Sequence, residues 1–162
     1  MMEQAPAARG GPRLVTPPAT PRVTVAFTAD RAMHDPGGSL RASYRVEAVD
    51  PATITAIERS VVWYTEGKGE EDLGVVFFER LTADRADTPA DAPPERPTTD
   101  WPNGHLATQL PLSPVSYEGL IVKIRWCVRV RLFFGSGRDF VSEHIFFVDK
   151  VPVARPLKLA VS

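Results

Sequence analysis

The chain has 162 residues, 43% of them hydrophobic, a formal net charge of −1 and a single cysteine. A chain of this length fits one domain that buries about two-thirds of its unfolded surface, so no covalent or metal staple is needed. Its near-neutral charge gives no global pull toward nucleic acid or anionic lipid, and the lone Cys127 excludes an internal disulfide and a multi-cysteine metal site, which points to a reducing, cytoplasmic compartment.

The first 22 residues lack the apolar core of a signal peptide, and no apolar run reaches bilayer length, so membrane insertion is not expected. Five of the sixteen prolines fall in residues 1–21 and five in residues 82–102, segments also rich in Ala, Thr and Asp. Such composition does not offset its own ordering entropy. It predicts a disordered arm at 1–21 and a flexible loop insertion at 82–102, within a β-sandwich spanning 22–150 and followed by a tail at 151–162. Closure entropy grows only logarithmically with loop length, so the insertion is tolerable.

In chain order the remaining segments read as strands. Val23, Val25 and Phe27 alternate with Arg22, Thr24 and Ala26, a half-buried strand. After the DPGG turn at 35–38, Leu40, Ala42, Tyr44 and Val46 alternate with Arg41, Ser43, Arg45 and Glu47. ITAIERSVVWYTE at 54–66 is β-branched and aromatic, and GVVFFERL at 74–81 is apolar on both faces. In LIVKIRWCVRVRLFF at 120–134, Val122, Ile124, Trp126, Val128, Val130 and Leu132 take one face; Lys123, Arg125, Cys127, Arg129 and Arg131 take the other. A helix would scatter those cations, whereas a strand collects them in one row. GSGRD at 135–139 makes a hairpin turn and FVSEHIFFV at 140–148 returns. Successive strands with turns between them and no capped helical periodicity predict a single all-β domain, an antiparallel β-sandwich of immunoglobulin-like kind.

The stretch TEGKGEEDLG at 65–74 invites three readings. As a phosphate cradle it fails, because a P-loop needs a Gly-Lys-Ser/Thr run opening a helix and here Glu66, Glu70, Glu71 and Asp72 repel phosphate. As a calcium site it has carboxylates, yet they do not alternate as in an EF-hand and Lys68 sits among them. A connecting turn between two strands is the reading taken.

No catalytic constellation emerges. His34, His105 and His144 are far apart in sequence, no Gly-x-Ser-x-Gly elbow is present, and Asp139, Glu143 and His144 lack a nucleophile in sight. Arg125 and Arg129 flank Cys127 and would lower its pKa, but a cysteine packed in a sheet is the commoner arrangement. Trp63 and Trp126 fit core positions better than a base-stacking platform, so nucleic acid is not an expected partner.

The best candidate surface is the row Lys123, Arg125, Arg129 and Arg131, about 25 Å of regularly spaced cations. It is a candidate partner-binding site for an acidic or phosphorylated protein. The alternative is that Glu47, Glu58 and Glu143 on neighbouring strands pair across it and merely keep the face solvated.

Three stretches together resemble the arrestin-like β-sandwich family, its amino-terminal domain and the related bacterial sporulation-control proteins. They are DPGGSLRASYRVEA, the pairing of ITAIERSVVWYTEG with GVVFFERL, and LPLSPVSYEGLIVKIRWCVRVRL at 110–132, similar to the family's Leu-Pro turn, Ser-Tyr-Glu-Gly element and following long strand. In the last, Pro111 and Pro114 withhold amide donors, Tyr117 is placed to cover the sandwich end and Gly119 to supply a conformation side chains forbid. The resemblance implies a non-catalytic adaptor that binds other proteins through the basic row or an exposed sheet edge, without cofactor or metal. RVTVAFTA lacks the paired lysines with which arrestins sense phosphate, so receptor binding is not implied. A calcium- or carbohydrate-binding module centred on 66–72 is the alternative.

Overall fold

A strand turns successive side chains to opposite faces, so a chain that alternates as this one does hides one face of each strand against another sheet. The computed structural model describes residues 19–28, 32–83 and 100–149. The expected arm, apart from 19–21, most of the proline-rich insertion and the C-terminal tail lie outside the described residues.

Among the described residues nine strands make up the fold: β1 (Arg22–Phe27), β2 (Met33–His34), β3 (Ser39–Glu47), β4 (Ile54–Gly67), β5 (Leu73–Thr82), β6 (Gly104–Gln109), β7 (Tyr117–Glu118), β8 (Val122–Phe134) and β9 (Asp139–Val148). One sheet has the order β1-β3-β6; the larger runs β2-β9-β8-β4-β5, with β7 beside the start of β8. The chain is an all-β sandwich, antiparallel except where β2 runs parallel to β9, pairing Met33 with Phe147 and His34 with Val148. The two-residue strands β2 and β7 are too short to leave a periodicity in the sequence. Among the described residues no helix is long and apolar enough to cross a membrane.

The alternation in β3 is carried through: Leu40, Ala42, Tyr44 and Val46 are buried and the residues between them exposed. They meet Ile57, Val61, Trp126, Val128, Val130, Leu132 and Phe146 from the larger sheet. Fully burying a side chain of this class contributes about 1.5–3 kcal/mol. The Trp126 indole also donates to the Pro114 carbonyl at 3.2 Å, which anchors the 110–116 segment to the sheet.

Two expectations for the 117–119 element are corrected. Tyr117 is exposed rather than closing the sandwich end. Gly119 has no positive φ; it is required by space, since a Cβ there would stand 2.4 Å from the Tyr117 ring and 2.7 Å from the Val122 carbonyl oxygen. The positive φ beside this element belongs instead to Gly67, at 139°, where a Cβ would meet the Ile121 oxygen.

Candidate protein-docking face

The row Lys123, Arg125, Arg129 and Arg131 lies on the outer face of the larger sheet, on its central strand β8. Every member holds an acid. Arg125 Nε lies 2.6 Å from Glu66 Oε2 and its Nη1 3.1 Å from Glu118 Oε1; Lys123 Nζ stands 3.5 Å from the other Glu118 oxygen. Arg129 Nη2 is 2.7 Å from Glu143 Oε1, and Arg131 Nε is 2.7 Å from Asp139 Oδ2.

The compensated row matches the solvated-face alternative in kind and corrects it in detail. Of the three acids expected to pair, Glu143 alone does so. Glu58 is held by Arg80 at 2.6 Å, and Glu47 lies on β3 in the opposite sheet. The partners missed by the sequence reading are Glu66, Glu118 and Asp139. Glu143 and Asp139 were within reach of it, because a tight turn at 135–138 sets the β8–β9 register that opposes Arg129 to Glu143. Glu66 depends on the register between β4 and β8, which opposes Glu66 to Lys123 and has no local signature. Arg80 and Arg131 also lie over the Phe133 ring, 4.4 and 4.8 Å from its centroid, a cation–π arrangement that immobilises both guanidinium groups.

Electrostatics on this face follow from packing. The hydrogen bond to Glu66 pushes the Arg125 guanidinium pKa up, against a smaller opposing effect of burial. Cys127, between Arg125 and Arg129, is fully buried, and burial pushes its thiol up to about 12, with Glu143 adding to the rise and Arg129 opposing it. The flanking cations do not activate it, because burial outweighs the lowering effect of Arg129. Burial likewise raises the pKa of Tyr64.

Two apolar strips flank the charged row. On β5 they are Leu73, Val75 and Phe78; on β9 and β2 they are Val141, Ile145, Phe147 and Met33, all exposed. The charged row therefore runs between two greasy margins on a single sheet face.

The stretch at 65–74 is a hairpin connection, closed by Thr65 N–H to the Asp72 carbonyl at 3.0 Å and Asp72 N–H to Thr65 Oγ1 at 2.8 Å. Among the described residues no three His, Cys, Asp or Glu side chains are grouped to hold a metal ion.

The histidines have separate surroundings. His34 packs edge-on against Phe27 and Phe146, its Nε2 without a hydrogen-bond partner, and burial lowers its pKa against the raising effect of Asp35. His144 Nε2 lies 2.8 Å from Ser142 Oγ, both on the inner face of β9, and burial lowers its pKa too. Glu143 between them points to the opposite face and holds Arg129 instead of that imidazole. His105 contributes its backbone: the carbonyl accepts a hydrogen bond from Arg59 Nη1.

No family model matches the sequence, and no curated protein matches it. Among solved structures the chain is similar to Spo0M, the sporulation control protein of Bacillus subtilis, with a TM-score of 0.49 at 13% sequence identity, covering 82% of this chain and 50% of that one. The chain thus spans about half the length of that protein, and the likeness is a distant one of fold.

Proposed function

We propose that this chain is a non-catalytic protein-interaction module of arrestin-like kind, cytoplasmic and independent of any cofactor, whose docking surface is the outer face of the larger sheet. The observation that supports this reading is the strip of Met33, Val141, Ile145 and Phe147, exposed beside the Arg129–Glu143 and Arg131–Asp139 pairs. Exposed apolar area rimmed by charge is the common anatomy of protein contacts, in which aromatic and arginine side chains carry most of the binding energy. The partner it fits offers an apolar ridge with carboxylates at its margin, which compete with Glu143 and Asp139 for the arginines.

A photo-crosslinking residue placed at Val141, with a control at Arg41 on the outer face of the smaller sheet, tests the reading in cells. A discrete adduct from position 141 that disappears in Ile145→Asp, with none from position 41, is the expected result. No adduct at 141, or equal adducts at both positions, refutes the docking face.

A further inference from the structure

We infer that the open edge of β5 pairs antiparallel with β5 of a second copy of this chain, joining two larger sheets into one across a twofold axis. The inference does not rest on the docking reading, which is tested at Val141 on β9, although Leu73, Val75 and Phe78 on β5 also form one margin of that face.

Among the described residues β5 pairs with β4 alone, so from Leu73 to Leu81 its other edge presents unpaired backbone groups. Such edges are normally blunted by proline, by lysine or by brevity. These three do not operate here, since the strand has ten residues, LGVVFFERLT, without proline or lysine; a bulge at Val76 and the inward Glu79 are the blunting features it does carry. Its outward side chains are apolar at the centre, with Val75 and Phe78 each 58% exposed.

What selects a second copy over an unrelated strand is the facing pattern. The β4–β5 register jumps from Val61 opposite Phe77 to Val62 opposite Val75, so Val76 is an extra residue and both Val76 and Phe77 turn inward toward the core. From 73 to 80 the accessibility then reads exposed, partly buried, exposed, partly buried, partly buried, exposed, partly buried, exposed. That order is the same in both directions about the midpoint between Val76 and Phe77.

In antiparallel pairing, opposed residues share a face. A copy turned by the twofold places Val75 opposite the second copy's Phe78, Leu73 opposite its Arg80, and Gly74 opposite its Glu79. All eight residues keep their faces in that register, and a shift of one residue breaks the agreement at once. The bulge that would mar pairing with an ordinary strand is matched by its own image. A twofold contact also closes on itself, because each copy's β5 edge is used by the other.

Sedimentation of the full chain over a range of concentrations, with Val75→Lys, Phe78→Glu and the double variant, tests the pairing. Both positions face solvent, so the protomer fold tolerates the changes, checked by unchanged circular dichroism. The wild type is expected to dimerise and each single variant to weaken the dimer by about tenfold or more. The double variant is expected to recover it, because the introduced ammonium and carboxylate then oppose each other twice across the axis. A wild type that stays monomeric at every concentration overturns the inference. A dimer indifferent to the single changes, or one the double variant does not rescue, overturns it equally.

Discussion

Arg59 and Glu79 face each other between the two sheets, with Arg59 Nε and Nη2 at 3.0 and 2.5 Å from the same Glu79 oxygen. The remaining Arg59 nitrogen donates to the His105 carbonyl on β6, so one guanidinium ties β4 and β5 of the larger sheet to the edge of the smaller. Its side chain is 13% exposed and that of Glu79 39%. Truncation to Arg59→Ala strands a partly buried carboxylate and a carbonyl, and is expected to cost about 2–4 kcal/mol in urea unfolding. Arg59→Met with Glu79→Gln, which removes both charges, is expected to cost less than Arg59→Ala alone. The reverse order would show that the pair does not bridge the sheets.

The outer-face pairs behave differently. The side chains of Arg129 and Glu143 are 32% and 39% exposed, where ion pairs contribute about 0–1 kcal/mol. Substituting Arg125, Arg129 or Arg131 singly by Ser is therefore expected to shift the unfolding free energy by no more than about 1 kcal/mol. These variants separate docking from folding: lost partner capture with an unchanged melt assigns the row to recognition.

Cys127 combines full burial with a thiol pushed up to about 12. The thiolate is the reactive form, so a disulfide reagent at neutral pH is expected to modify the folded protein no faster than it unfolds, and the denatured chain at once. Fast labelling of the native state would contradict the packing described.

Acidification is expected to destabilise the fold through His34 and His144. Burial lowers both pKa values below the ordinary 6.5, so the unfolded chain takes up protons at a pH where the folded one does not. Their stabilising contribution is complete above about pH 6.5 and falls as pH drops through the window between that value and the folded pKa. Urea midpoints measured from about pH 8 to 5 report the loss. His34→Gln combined with His144→Gln is expected to flatten the profile in that window.

Strand β6 at Gly104–Gln109 was missed by the sequence reading, whereas β1, β3 and β8 were legible by their period of two, β4 and β5 by their β-branched, aromatic and apolar composition, and β9 as the return of a hairpin; in β3 the alternation alone places every side chain correctly. β2 and β7 were not: two residues carry no period, and their places depend on β9 and β8 arriving from elsewhere. The same division holds on the docking face. The cation row was visible because residues two apart on one strand share a face, and Glu143 because a hairpin turn fixes its register. Glu66, Glu118 and the apolar margin on β9 and β2 follow from contacts between distant segments. Arg59 read as one more charged residue in a β-branched run. Its inward direction is fixed by pairing with Val130 on β8 and Glu79 on β5, information that no local pattern carries.

A guanidinium that already clasps a carboxylate does not wait for a ligand; it swaps one. Any acid arriving at β8 releases Glu66, Glu118, Glu143 or Asp139 into water, so the count of charges in contact is unchanged. On the docking proposal, capture by this surface would be a competition between rival anions. Its sensitivity to ionic strength is correspondingly shallow, and discrimination among ligands passes to the shape of the greasy strips on either side.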